Sequence, residues 1–196
     1  MHENNIQRAV EFLDHSVSQL IDGSVPMEKL MLTKALRSDY ANPDRIAHRV
    51  LADRIGKRDP GNKPKPGDRI RFVFISNPGK KLLGDRVETP EFIVANRIKI
   101  DYTYYITNQL MKPLQQLFGL AVDQIWEYRN MDASLKTYRK DMDKLASEFP
   151  DLEVFMKKKE KYCSQKVKAL LFDKFLMRIY NEQNRIQTLA DCFRKR

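Results

Sequence analysis

Residues 59–75 read Asp59-Pro60-Gly61-Asn62-Lys63-Pro64-Lys65-Pro66-Gly67-Asp68-Arg69-Ile70-Arg71-Phe72-Val73-Phe74-Ile75. The first half cannot be helical, because Pro64 and Pro66 fix φ and remove two backbone donors. Asp59-Pro60-Gly61-Asn62 fits a type II turn, with Pro setting the first central residue and Gly accepting positive φ at the second. From Arg69 onward the pattern changes. Ile70, Phe72 and Phe74 fall on alternate positions and share one face of a strand, and Asn77-Pro78-Gly79 closes it. A strand reached through a stiff, lysine-bearing loop is therefore the fixed point of the reading.

Working outward, the flanks are helical. Ahead of the loop, Asn42-Pro43-Asp44 supplies a turn and a helix start, and Ile46, Ala47, Val50, Leu51 and Ile55 follow at helical spacing. That helix carries Arg45, Arg49, Arg54, Lys57 and Arg58 off its apolar face. Met27 to Leu36 is apolar and punctuated by lysine, and Ile6, Val10, Leu13, Val17, Leu20 and Ile21 form the stripe of an amphipathic helix that Asp22-Gly23 ends. Beyond the strand, Thr89 caps a short helix with Pro90 at its first position. Asp101 caps a longer one from Tyr102 to about Phe118, which buries Tyr105, Ile106, Leu110, Leu114 and Leu117 and kinks at Pro113. After Gly119 come charge-rich helices, including 151–160 and 164–180, the latter with Val167, Leu170, Leu171 and Leu176 on one side. The expected fold class is mainly α (α+β), a helical chain with a small β element and a helical C-terminal extension.

Lys and Arg number 36 against 26 Asp and Glu, a net charge of +10, which attracts polyanions. Nucleic acid is the first partner to consider, an anionic membrane surface the second and a ribosome-like assembly the third. No apolar run approaches the length of a membrane span and the N-terminus lacks the order of a signal peptide, so no membrane partner is expected and the chain reads as soluble and intracellular. Cys163 and Cys192 are too few for a structural zinc site, and His2, His15 and His48 have no metal-ligand spacing. The carboxylates are isolated among cations or spread over helix faces, which disfavours a two-metal centre. Nucleotide-binding loops and nucleophile elbows are absent as well. Neither catalytic nor metal-binding residues are assigned.

The charge is concentrated. Lys29 to Arg71 holds twelve Lys and Arg against five Asp, seven of the ten net charges. Cations on one helix, one loop and one strand edge can meet successive phosphates, which require charge rather than base-specific donors. The same residues also fit a solvated helix face with ion pairs such as Arg49 with Asp53 and Asp53 with Lys57. The Pro-rich loop favours the first reading, because cations held on a stiff segment lose less entropy on binding. Among the aromatic residues, Phe72 and Phe74 are core, Tyr102 and Tyr105 bury their rings, and Tyr104 points elsewhere, keeping its hydroxyl near a phosphate or a neighbouring domain.

Several blocks, in order and at matching spacing, resemble the thumb of delta-like family B DNA polymerases. They are Leu32-Thr33-Lys34-Ala35-Leu36, Ala47-His48-Arg49-Val50-Leu51-Ala52-Asp53-Arg54, Arg58-Asp59-Pro60-Gly61-Asn62-Lys63-Pro64, Gly67-Asp68-Arg69-Ile70, Ile100-Asp101-Tyr102-Thr103-Tyr104-Tyr105-Ile106 and Gln109-Leu110-Met111-Lys112-Pro113-Leu114. The resemblance covers about residues 5–120. It implies three regions: 1–30 like the last palm helix and its exit strand, 31–120 like the thumb, and 121–196 a helical extension. It further implies a polymerase fragment without the palm's catalytic motifs, whose parent is a magnesium-using nucleotidyltransferase acting in DNA replication, in the nucleus or at a cytoplasmic viral replication site. The family's thumb holds the primer-template duplex through its phosphates beside the palm and the other polymerase domains. Charge and placement make Lys34, Arg37, Lys63, Lys65, Arg49 and Arg69 the DNA-binding candidates, while Asp59, Pro60, Gly61 and Asp68 shape the loop.

The extension departs from delta-type enzymes, since it lacks their metal-binding cysteine clusters. Lys166 to Leu176 is more similar to polymerases of large DNA viruses. Gln187-Thr188-Leu189-Ala190-Asp191-Cys192-Phe193 bears a faint resemblance to a sliding-clamp-binding peptide, with Ala190 in the aliphatic place and Arg194 where a second aromatic belongs. An alternative role is a protein-interaction module that recruits a replication partner through the helices of 121–196.

Overall fold

The computed structural model describes residues 5–80 and 82–186. The chain forms two compact units, one made of residues 23–105 and the other of residues 1–22 together with 106–196. The chain passes from one unit to the other at 22/23 and 105/106.

The continuous unit is built on a three-stranded antiparallel sheet in the order β1-β2-β3, with β1 Leu32–Ala35, β2 Arg69–Phe74 and β3 Val87–Glu88. β2 is the strand expected from the alternation, and Ile70, Phe72 and Phe74 are buried. Val73 is buried too, so both faces of the strand's second half are covered. Around the sheet lie α2 Met27–Leu30, α3 Ala47–Arg58 and α4 Pro90–Asn96. Residues 27–30 are a helical turn that leads directly into β1. Leu51 and Ala52 seat α3, and Thr89 Oγ1 caps α4 by accepting from the Phe92 amide at 3.3 Å.

Asp59 to Asn62 does not form the type II turn. Pro60–Asn62 is a single 3-10 turn, and Gly61 is not among the positive-φ glycines. The reason is the Asp59 carboxylate, which accepts from the Gly61 amide at 3.1 Å and from Asn62 Nδ2 at 2.6 Å. Those bonds reward a tight right-handed turn over one with a left-handed residue.

Tyr105 joins three segments of this unit. Its buried hydroxyl accepts from the Phe74 amide at 2.9 Å and donates to the Leu30 carbonyl at 2.8 Å. Burial above all pushes the phenol up to about 12. Replacing Tyr105 with Phe leaves both backbone groups buried without that partner, an expected loss of about 2 kcal/mol. Urea denaturation of the variant against the parent chain measures it.

The second unit begins with α1 Asn5–Ile21, whose Val10, Leu13, Val17 and Leu20 are buried as the stripe requires. At the end of the continuous unit, Asp101 caps α5 Tyr102–Tyr104 by accepting from the Tyr104 amide at 2.9 Å. A π-helical turn over Tyr105–Leu110 then leads into α6 Met111–Gly119. The wider turn accommodates an extra residue, so the buried face advances by one position. Phe118 is consequently buried and Leu117, expected inside, is 62 % exposed, while Leu110 and Leu114 are only half-buried. α7 Val122–Tyr128, α8 Asp132–Glu148, α9 Leu152–Val167 and α10 Asp173–Gln183 complete the unit. A second π turn at Lys168–Phe172 makes α9 and α10 one run, and Val167, Leu171, Phe172, Phe175 and Ile179 form its buried side. Leu170 and Leu176, placed on that side from sequence, are half-buried. Among the described residues no helix is long and apolar enough to cross a membrane.

Candidate nucleic-acid interface

The cations of residues 29–71 divide by what they touch. Arg54 and Arg58 converge on Glu88, which is 4 % exposed, through Arg58 Nη2 at 2.6 Å and Arg54 Nε at 3.2 Å from Oε2. Arg54 also donates to the Gly84 and Val87 carbonyls, and the Thr89 amide donates to Glu88 Oε1 at 3.0 Å. The Arg58 guanidinium lies 3.9 Å from the centre of the Phe92 ring. These two arginines fasten α3 to β3 and α4. Arg49 is paired with Asp53 at 2.5 Å, the i,i+4 contact expected on a solvated helix face, whereas Lys57 forms no such pair among the described residues. Arg71 stands 3.8 Å from Glu91 with both side chains largely exposed.

Lys34, Arg37, Lys63, Lys65 and Arg69 are exposed and have no ion pair among the described residues. The β1–β2 ladder gathers four of them at one end. Ala35 pairs with Arg69 and Lys34 with Ile70, and beyond the strands the Leu36 amide donates to Asp68 and the Gly67 amide to Leu36, each at 2.8 Å. Arg37 and Lys65 therefore flank the same closure as Lys34 and Arg69. Alternation divides them between faces, with Lys34 on the Ile70/Phe72 side and Arg69 beside Arg71 on the other.

The loop is held from within. The Lys65 amide donates to Asp68 Oδ2 at 2.7 Å, the Asp68 amide returns to the Lys65 carbonyl at 3.0 Å, and Gly67 completes the reversal at φ 97°. A side chain beyond hydrogen would strain there. Lys63 rests its stem on α3, where its Cγ lies 2.6 Å from the position a Cβ on Gly56 would take. Only glycine leaves room for that stem, so the Lys63 charge projects from a fixed base. Asp59 and Asp68 thus have the loop-shaping roles read from sequence.

Two residues near this end escaped the sequence reading. His48 Nε2 is 3.0 Å from Tyr40 Oη, and the Arg37 amide donates to that oxygen at 2.8 Å. The imidazole stacks on Phe72 with the rings 10° apart. Burial first, then Lys34 and Arg37, hold His48 below the ordinary imidazole range, against an opposing hydrogen bond to the Ala35 backbone. Nothing in the eight-residue spacing of Tyr40 and His48 signals this contact. Tyr104, expected to point away from the packed face, lays its ring on Phe74 with centres 3.6 Å apart.

Of this unit's carboxylates, Asp53, Asp59, Asp68 and Glu88 are engaged in the contacts above, and Asp101 is paired with Arg86. Among the described residues no group of three or more His, Cys, Asp or Glu could hold a metal ion. Among the described residues, then, none are grouped to hold the magnesium implied for a parent polymerase. Gln187 to Phe193, compared above with a clamp-binding peptide, lies outside the described residues.

Comparison with known proteins agrees with this layout. The family model for DNA polymerase family B matches residues 1–120. A DNA polymerase of Pyramimonas orientalis virus is 39 % identical over 199 residues, covering 98 % of this chain and 16 % of that protein. A DNA polymerase of Acanthamoeba polyphaga mimivirus is 43 % identical over 63 % of this chain and 7 % of its own length. A DNA polymerase delta catalytic subunit of Candida albicans is 34 % identical over 60 % of this chain and 11 % of its own. The chain thus spans a small part of these relatives, and the Pyramimonas orientalis virus match takes in the helical tail as well. Since the matched segment opens with α1, contains the whole sheet with its exposed cations and ends just past α6, the chain belongs to DNA polymerase family B.

Proposed function

We propose that this chain is the duplex-gripping thumb portion of a replicative DNA polymerase, holding primer-template through its phosphates and leaving nucleotidyl transfer to palm residues elsewhere. The observation that carries this reading is the separation of charges. Arg49, Arg54 and Arg58 are absorbed in ion pairs, while Lys34, Arg37, Lys63, Lys65 and Arg69 stay exposed around a loop braced by its own hydrogen bonds. Cations placed on rigid backbone suit a ligand of regular charge spacing, and they supply grip without base readout. In the whole enzyme the grip keeps the duplex beside a magnesium-dependent active site, in the nucleus or at a viral replication site. Arg49 is the weakest of the six candidates, since phosphate contact would compete with Asp53.

Titration of fluorescent duplexes by anisotropy tests the reading. Each phosphate neutralised on B-DNA contributes about 0.9 to the slope of log affinity against log salt. Five contacts therefore give a slope near −4 to −5, with little difference among duplex sequences. A folded sample that fails to bind at low salt refutes the stand-alone grip.

A second reading draws on the helical tail, where Leu152 is 73 % and Met177 57 % exposed. Those side chains suit a protein partner of the replication machinery. Pull-downs with and without residues 121–196 separate this role from DNA binding, since loss of partner capture without loss of duplex affinity assigns the tail to recruitment.

A further inference from the structure

His48 is placed where a phosphate grip and a proton would meet. A phenol has one proton and two lone pairs. Tyr40 Oη already receives the Arg37 amide, and in the tautomer of the neutral ring that leaves His48 Nε2 without hydrogen the phenolic proton is directed at that nitrogen. Lys34 and Arg37, both free of ion pairs among the described residues, are the charges acting on the ring. The remaining surroundings do not change that sign. Phe72 is the β2 neighbour, Asp39 is engaged by Ser38, and the turns packed on α3 carry exposed Asp44 and Arg45, and Asp85 and Arg86, of which Arg86 is paired with Asp101. Glu88 of β3 belongs to Arg54 and Arg58.

The geometry points to His48 as the proton-accepting member of a phosphate cradle whose other members are Lys34, Arg37 and the Tyr40 hydroxyl. This rests on the reading that duplex phosphates bind at this end of the sheet. Burial is the first cause that keeps the imidazole neutral, and an anion seated on Lys34 and Arg37 cancels the part their charges add. His48 then takes one proton from solvent at Nε2, and the new N–H donates to the second lone pair of Tyr40. The phenolic proton, no longer needed on the histidine side, turns outward as a donor to the phosphate oxygen. One N–H bond forms, one proton is consumed, and Tyr40 changes from a donor within the fold to a donor to the ligand. Acid then acts in opposite senses on the free and bound chain. Without DNA, the unfolded chain binds this proton more readily, so stability falls as pH drops below about 6.5; with DNA, the same proton tightens the grip.

Calorimetric titration of the full chain with a duplex at pH 6 and low salt, in two buffers of different ionisation enthalpy, reads the proton directly. The parent chain is expected to take up between half and one proton more than His48→Gln, and its affinity to rise about threefold to tenfold from pH 7.5 to 6 where His48→Gln stays flatter. Equal uptake by both, with binding intact and weakened by Lys34→Ala and Arg37→Ala, overturns the assignment while leaving the grip standing. Absence of duplex binding at low salt refutes the grip and this inference together. Should His48→Gln fail to fold, NMR titration of the parent chain's imidazoles decides. The His48 midpoint is expected to rise by a unit or more on duplex binding and by more than that of exposed His15, and an equal or smaller movement overturns the cradle.

Discussion

Converting Lys63, Lys65 and Arg69 together to Gln is expected to reduce the salt slope of duplex binding by about three and the affinity near 0.1 M salt by about 10²- to 10³-fold. Each side chain is exposed and without an ion pair among the described residues, so its removal leaves no buried charge behind. The backbone that presents them is secured by Asp59, Asp68 and Gly67, none of which changes. The triple variant should therefore melt within a few degrees of the parent. Anisotropy titrations from low to moderate salt give the slope and affinity in one series. An unchanged slope in a folded variant moves the contact to another surface, the helical tail being next to test.

Glu88→Ala is expected to cost about 3 kcal/mol of stability, below the full penalty for breaking a buried ion pair because each arginine partner keeps part of its surface in water. The carboxylate is 4 % exposed and receives Arg54, Arg58 and the Thr89 amide, so its loss leaves two guanidinium groups and one amide without their acceptor. Denaturant unfolding measures the effect. Glu91→Ala, which removes only the long exposed contact to Arg71, should change stability by less than about 0.5 kcal/mol. If the two variants behave alike, Glu88 is not the fastening of α3 that its geometry describes.

What could be read in advance was whatever depends on neighbours along the chain. The β2 alternation, the caps at Thr89 and Asp101, the α1 stripe and the Asp59 and Asp68 loop contacts all lie within a few residues of their partners. The misses have non-local or competing causes. Glu88 selects Arg54 and Arg58 from thirty or more residues away, which charge counting cannot see. Leu117 yields to Phe118 because the π turn resets the helical phase, and no residue in Tyr105–Leu110 announces an extra residue per turn. The Asp59 turn went astray because Pro-Gly statistics were weighed without the carboxylate beside them. His48 was passed over because a metal-ligand search asks for spacing, whereas its role rests on Tyr40 and the Arg37 amide.

The discontinuous unit has a consequence for the order in which this protein is made. Residues 23–105 are contiguous, so the contacts within their unit are available once Tyr105 has been made. α1 is made before that unit and must wait, for its Asp14 meets Lys174 and its helix end at Asp22 meets Arg178 at separations of 160 and 156 residues. Until the later helices are made the Val10, Leu13, Val17 and Leu20 stripe remains without them, an interval in which a nascent chain is open to chaperones and to aggregation. The sheet-bearing unit can thus form ahead of the helical unit, which closes only after α10 has been made.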